Sequence, residues 1–137
     1  ISLGKGPVAI FPPDKKVKNF FDKIGITIEI KSESLSKNFW AISGTMASFY
    51  EILRVLSNWL IKKGLKRKQA QQYVTYLYSA LAELSKANSK KNLKFLVSES
   101  QTPGGLNEQG VKELRRFGFY KSLEKSLNSI LKRLNKK

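Results

Sequence analysis

Residues 35–64 read LSKNFWAISGTMASFYEILRVLSNWLIKKG. Leu35, Phe39, Ile42, Met46, Phe49, Leu53, Leu56 and Leu60 recur every three to four positions, the period of one helix face. The spacing predicts one helix of up to about 30 residues, bent near Gly44 and stopped by Gly64. Phe39/Trp40, Phe49/Tyr50 and Trp59/Leu60 add apolar side chains on a second side. A helix apolar over so wide a face must be buried on several sides. In a chain of 137 residues that predicts a partner subunit; the alternative is a central helix in a monomeric bundle.

Upstream the grammar differs. In GKGPVAIFPP, residues 4–13, Val8 to Phe11 read as a short strand stopped by Pro12 and Pro13, because proline cannot continue a ladder. Asp14 is placed to cap a helix in which Val17, Phe20, Phe21 and Ile24 fall at i, i+3, i+4 and i+7. Gly25 is expected to stop that helix with positive φ. ITIEI then alternates β-branched and polar residues, as a strand does. Residues 7–30 therefore read as one strand–helix–strand unit with parallel strands. One such unit cannot close a sheet. It is either a small α+β cap or, the reading preferred here, the tail of a larger α/β domain. The chain opens with Ile1 and its one methionine is Met46, so a longer parent protein with an upstream segment is expected.

Downstream everything reads as helix. Ala70, Tyr73, Val74, Leu77, Leu81 and Leu84 mark a helix over 66–86, and Asn92 is expected to cap a short one carrying Leu93, Leu96 and Val97. Val111, Leu114 and Phe117 mark another that ends at Gly118, and Leu123, Leu127, Ile130, Leu131 and Leu134 mark the last. The fold class is mainly α. A helical bundle over 33–137 is preceded by the strand–helix–strand of residues 1–32.

Composition narrows the chemistry. With no Cys and no His there is no thiol nucleophile, no disulfide, no Ser-His-Asp triad and no zinc site of the usual kinds; no metal is expected. No apolar run reaches the ~20 residues of a membrane span, and no secretory signal is visible. The formal charge of +16 invites a nucleic-acid reading. However, Lys outnumbers Arg 21 to 5, and the lysines are spread over every segment. Base readout and bidentate phosphate contacts prefer Arg, so nucleic acid is not the expected partner. KKGLKRK at 62–68 is the densest basic run, and it falls at a helix–helix turn.

The segment that is not simple periodicity is TPGGLNEQG, residues 102–110. Pro103 presets φ, and Gly104 and Gly105 accept unusual dihedrals and bring main-chain N–H groups close to a ligand. Asn107 is expected to cap the following helix. A glycine turn entering a helix N-terminus is suited to an anion such as a carboxylate. The plain alternative is a turn followed by a self-capped helix. Glu108 shows no partner in the sequence. Gly4-Lys5-Gly6 is too short for a phosphate loop, and no GxGxxG or GxxxxGK[ST] follows a strand.

Ala41-Ile42-Ser43-Gly44-Thr45-Met46-Ala47, then a long helix, then Gln101-Thr102-Pro103-Gly104-Gly105-Leu106-Asn107, occur in an order that resembles pyrroline-5-carboxylate reductases. The family shows an ALSGSGPAY-like segment and later an SPGGTT-like one. Leu114-Arg115-Arg116-Phe117-Gly118-Phe119 resembles its helix–Gly-Gly-Phe passage, and residues 6–30 resemble the last strand–helix–strand of its Rossmann domain.

The resemblance implies an NAD(P)H-dependent imine reductase of proline biosynthesis or a related pathway, cytoplasmic and homodimeric through interleaved long helices. The dinucleotide, NADP or NAD, would be held mainly by an upstream domain. This chain alone is expected to bind none and to be inactive. A small carboxylate-bearing imine would sit at Thr102, Gly104, Gly105 and Asn107, with Ser43, Gly44 and Thr45 lining the site; the resemblance assigns no catalytic residue. Asn107 stands where the family has its second hydroxyl after the glycines, and Thr45-Met46 replace small residues, so a related cyclic imine or keto acid fits equally. Two rival classes remain: a basic helical module binding nucleic acid or an acidic protein, and a purely structural oligomerisation domain.

Overall fold

The computed structural model describes residues 6–136. The elements run β1 (Gly6–Ile10), α1 (Lys15–Phe21), β2 (Gly25–Glu29), a 3₁₀ turn (Glu33–Leu35), α2 (Ser36–Ser43), α3 (Met46–Lys62), α4 (Arg67–Ala87), α5 (Leu93–Glu99), α6 (Leu106–Arg116) and α7 (Phe119–Asn135). This is the mainly helical chain with a short β-containing start that the periodicities predict. The described residues form two compact units, one from residues 6–45 with 124–136 and one from Met46–Leu123.

In the first unit β1 and β2 pair in parallel, with Gly6 opposite Gly25 and Ile10 opposite Glu29. The Asp14 side chain caps α1 by accepting from the Val17 N–H at 2.8 Å, as expected. Asp22 closes α1 and serves two partners: it pairs with Lys18 and accepts from the Thr27 N–H at 3.0 Å. Both bonds hold its carboxyl below the usual carboxylate range, the one to Lys18 most strongly. The ion pair is more than a third exposed and contributes little in water. The bond to Thr27, a buried residue of β2, is what ties the helix end to the strand. Ile10, Ile30 and Ala41 are the buried apolar side chains of this unit.

Two expectations change here. Gly25 does not end α1 with positive φ; it is the first residue of β2. Its lack of a side chain matters because a Cβ would lie 2.1 Å from the Gly6 carbonyl oxygen. The long helix over 35–64 is not merely bent. It is cut between Ser43 and Met46 into α2 and α3. The Gly44 N–H still bonds to the Trp40 and Ala41 carbonyls, and a Cβ on Gly44 would approach Ile130 of α7 at 3.4 Å.

In the second unit α3 packs against α4, joined by a turn in which Gly64 adopts φ +102°. The side chains buried on these two helices are small: Ser57 on α3, and Ala70 and Val74 on α4. Small residues let two helix backbones approach closely. The large side chains remain outside: Tyr50, Trp59, Tyr73 and Tyr76 are each more than half exposed. Tyr73, Leu77, Leu81 and Leu84 lie three or four apart on α4, so one side of that helix shows an apolar stripe to solvent. A contiguous exposed apolar stripe is the usual mark of an interaction surface.

Candidate functional site

The chain between α5 and α6 is built by local hydrogen bonds. The Asn92 side chain caps α5, accepting from the Lys94 N–H at 2.9 Å. After α5, Thr102 to Gly105 form a tight turn in which the Gly105 N–H donates to the Thr102 carbonyl at 2.8 Å. Pro103 takes the second position, where its fixed φ fits, and Gly104 the third with φ +72°. This is the type II pattern, which requires positive φ at its third residue. The Thr102 hydroxyl folds over the turn: a Cβ on Gly105 would sit 2.3 Å from Thr102 Oγ1. Gly104 is thus needed for its dihedral and Gly105 for its bareness.

Gly105, not Asn107, caps α6. Asn107 lies in the first helical turn, and its Nδ2 donates to the Ser100 carbonyl at 2.9 Å. That bond straps α6 to the end of α5. Glu108, which shows no partner in the sequence, has two. Its Oε2 accepts from the Gly104 N–H at 2.9 Å, and its Oε1 pairs with Lys112 Nζ at 2.8 Å. Lys112 foremost, then the Gly104 N–H, hold the Glu108 carboxyl below the ordinary carboxylate range. Both glycine N–H groups are therefore bonded inside the turn. The first-turn N–H groups of α6, those of Leu106 and Asn107, have no acceptor within the helix.

Two concavities adjoin this turn. Ser100, Gln101 and Asn107 line a cleft of about 620 Å³ together with Leu84, Leu96 and Val111. Gly104, Gly105, Glu108 and Lys112 border a depression of about 290 Å³. The structure thus puts Thr102, Gly104 and Gly105 in one turn and Asn107 in the helical turn that follows it. Ser43, Gly44 and Thr45 form the α2–α3 corner, which belongs to the other compact unit. Their hydroxyls bond back into α2: Ser43 Oγ to the Phe39 carbonyl at 3.1 Å and Thr45 Oγ1 to the Ile42 carbonyl at 2.7 Å.

Glu108 is the residue that sequence reasoning missed. Its position was the available signal. It stands three after the cap, where an acidic side chain reaches back to the N–H groups before a helix, and Lys112 follows at i+4.

The turn from β1 into α1 is Phe11-Pro12-Pro13-Asp14, with no glycine to admit a pyrophosphate. The Asp14 carboxylate already occupies that helix N-terminus and would repel one. Among the described residues no group of three or more acidic side chains is placed to hold a metal ion. No helix among them is long and apolar enough to cross a membrane.

The family model described as pyrroline-5-carboxylate reductase dimerisation matches residues 33–137. Curated protein sequences show no significant match. Solved structures do. A pyrroline-5-carboxylate reductase of Coxiella burnetii is 22% identical with a TM-score of 0.82, and the match covers 98% of this chain and 53% of that one. The pyrroline carboxylate reductase of Plasmodium falciparum, solved with NADP bound, is 22% identical with a TM-score of 0.74, over 95% of this chain and 52% of that one. The 1-pyrroline-5-carboxylate reductase of Streptococcus pyogenes is 22% identical with a TM-score of 0.75, over 95% and 52%. The chain spans about half the length of these proteins. At this identity the likeness shows the fold.

Proposed function

This chain belongs to the pyrroline-5-carboxylate reductase dimerisation family, and on that premise we propose that it is the dimerising, substrate-holding part of an NAD(P)H-dependent imine reductase. Residues 1–32 are then the end of a dinucleotide-binding domain, and 33–137 the helical domain. The reaction is the saturation of a cyclic C=N bond, in which hydride from the nicotinamide goes to carbon and a proton to nitrogen. NADP or NAD is the expected cofactor, held by residues outside this chain; the NADP in the Plasmodium falciparum relative supports a nicotinamide dinucleotide.

The observation that carries the reading is the Thr102–Gly105 turn entering α6 within the matched stretch. A substrate carboxylate fits there because the Leu106 and Asn107 N–H groups lack helical acceptors and the helix dipole favours negative charge. The Thr102 hydroxyl lies against Gly105, the cap of that helix. Asn107 spends one amide hydrogen on Ser100 and keeps a second. Gly104 and Gly105 shape the turn. The bare apolar stripe of α4 supports a homodimer. The expected compartment is the cytoplasm.

The test is NADPH and NADH oxidation by the natural full-length protein with pyrroline-5-carboxylate. Imine-dependent turnover is expected, with none from residues 1–137 alone. Absence of turnover with this and other carboxylate-bearing cyclic imines would overturn the reading.

A further inference from the structure

We propose that Glu108 is a positioning residue for the carboxylate-binding turn, acting through the Gly104 N–H. The proposal rests on the imine-reductase reading and deepens it. Gly104 is the one residue of the turn held at positive φ, +72°, and the Glu108 carboxylate closes a ring from the first turn of α6 back to it at 2.9 Å. That ring does two things. It satisfies the Gly104 N–H, the donor of the one residue in the turn with positive φ. It also fixes the peptide that orients Gly105, and with it the Thr102 hydroxyl packed on Gly105.

A carboxylate is a costly choice of acceptor beside a site for an anion, because it repels the ligand. Lys112 answers this by pairing with the other oxygen of Glu108 at 2.8 Å, which leaves the pair near neutral. The Glu108 side chain is only 28% exposed although it lies on a surface turn, as a side chain folded back on its own backbone should be. The Asn107 amide also straps that helical turn to Ser100. The two bonds tie the first turn of α6 to the residues that precede it.

The experiment uses the full-length enzyme and compares Glu108→Ala with Glu108→Gln. Alanine removes the acceptor; glutamine keeps a carbonyl oxygen for the Gly104 N–H and removes the charge. Glu108→Ala should raise KM for the imine about tenfold, the scale of one hydrogen bond, with KM for the nicotinamide dinucleotide and kcat little changed. Glu108→Gln should hold KM at the wild-type value or below it, since the repelling charge is gone. An alanine variant with unchanged imine KM, or a glutamine variant that matches alanine, overturns the positioning role. If alanine lowers only the thermal midpoint, Glu108 is a structural cap and the proposal is wrong. Wild-type enzyme that reduces no cyclic imine overturns the functional reading itself, and the positioning role with it. That outcome is distinct from an active wild type with an indifferent alanine variant.

Discussion

Gly25 and Gly6 face each other across the parallel β1–β2 pair so closely that a Cβ on Gly25 would stand 2.1 Å from the Gly6 carbonyl oxygen. The obstructing atom is backbone, so it cannot swing away as a side-chain tip would. Gly25→Ala must push the strands apart or break the register. We expect a loss of about 1–3 kcal/mol, the usual cost of overpacking, read as a lower urea midpoint. Gly110→Ala is the control. Gly110 lies inside α6 with nothing within 4 Å of its would-be Cβ, so alanine should stabilise by about 0.5–1 kcal/mol. Equal effects from the two substitutions would refute this account of Gly25.

Gly104→Ala should be costly for a different reason. Space is open around it, but φ is +72°, which costs a residue with a Cβ about 1–2 kcal/mol. Gly104→Asn should cost less, because Asn tolerates this region better. Thermal midpoints ordered wild type, Asn, Ala are the expected result; an Ala variant as stable as wild type would show that the turn relaxes to another form.

Asn107 works as a donor to Ser100 and not as a helix cap, which separates two substitutions. Asn107→Asp would be favourable at a cap or beside the N-terminal dipole. Here it exchanges a donor for a carboxylate facing the Ser100 carbonyl at 2.9 Å, and it adds a negative charge beside the proposed carboxylate site. We expect Asn107→Asp to be less stable than Asn107→Ala, and in the full-length enzyme to raise imine KM further. A more stable Asp variant would restore the capping role.

The Glu108 carboxyl is held below the ordinary carboxylate range by Lys112 and the Gly104 N–H, so the folded protein favours its ionised form. A depressed carboxyl contributes stability that is present above the unfolded value and is lost as pH falls through the folded one. Wild type should therefore exceed Glu108→Gln in thermal midpoint at neutral pH, and the gap should close as acid protonates Glu108. A gap that widens on acidification would contradict the sign.

The apolar stripe of α4 predicts self-association. Leu77 is 43% exposed and lies within that stripe, on the helical face it shares with Ala70 and Val74. Leu77→Lys should shift the light-scattering mass from dimer toward monomer and leave the helical circular dichroism intact. A wild-type protein that is monomeric at micromolar concentration would remove the basis of the homodimer.

Much of the fold is legible in the chain because its signals are local. The 3–4 period of Leu35 to Leu60 marks helix wherever the chain goes. Asp14 and Asn92 cap the helices they precede, and Pro12-Pro13 ends a strand by chemistry alone. What the sequence does not show depends on partners elsewhere in the chain or on geometry that periodicity does not carry. Gly25 looks like a helix stop until Gly6 is seen across the strand pair. Gly44 looks like a bend, but the helix breaks there beside Ile130. Asn107 has the composition of a cap, and only the position of Ser100 shows where its amide goes.

The amino-acid sequence by itself determined the helical class, the parallel strand–helix–strand start, the glycine turn before α6 and the basic, cysteine-free chemistry, since each follows from residue type and spacing. The tertiary structure alone decided how the polar groups of that turn are used. Hydrogen bonds are short-range and directional. A few tenths of an ångström determine whether the Gly104 N–H meets the Glu108 carboxylate or stays open to a ligand, and no periodicity in the sequence encodes that.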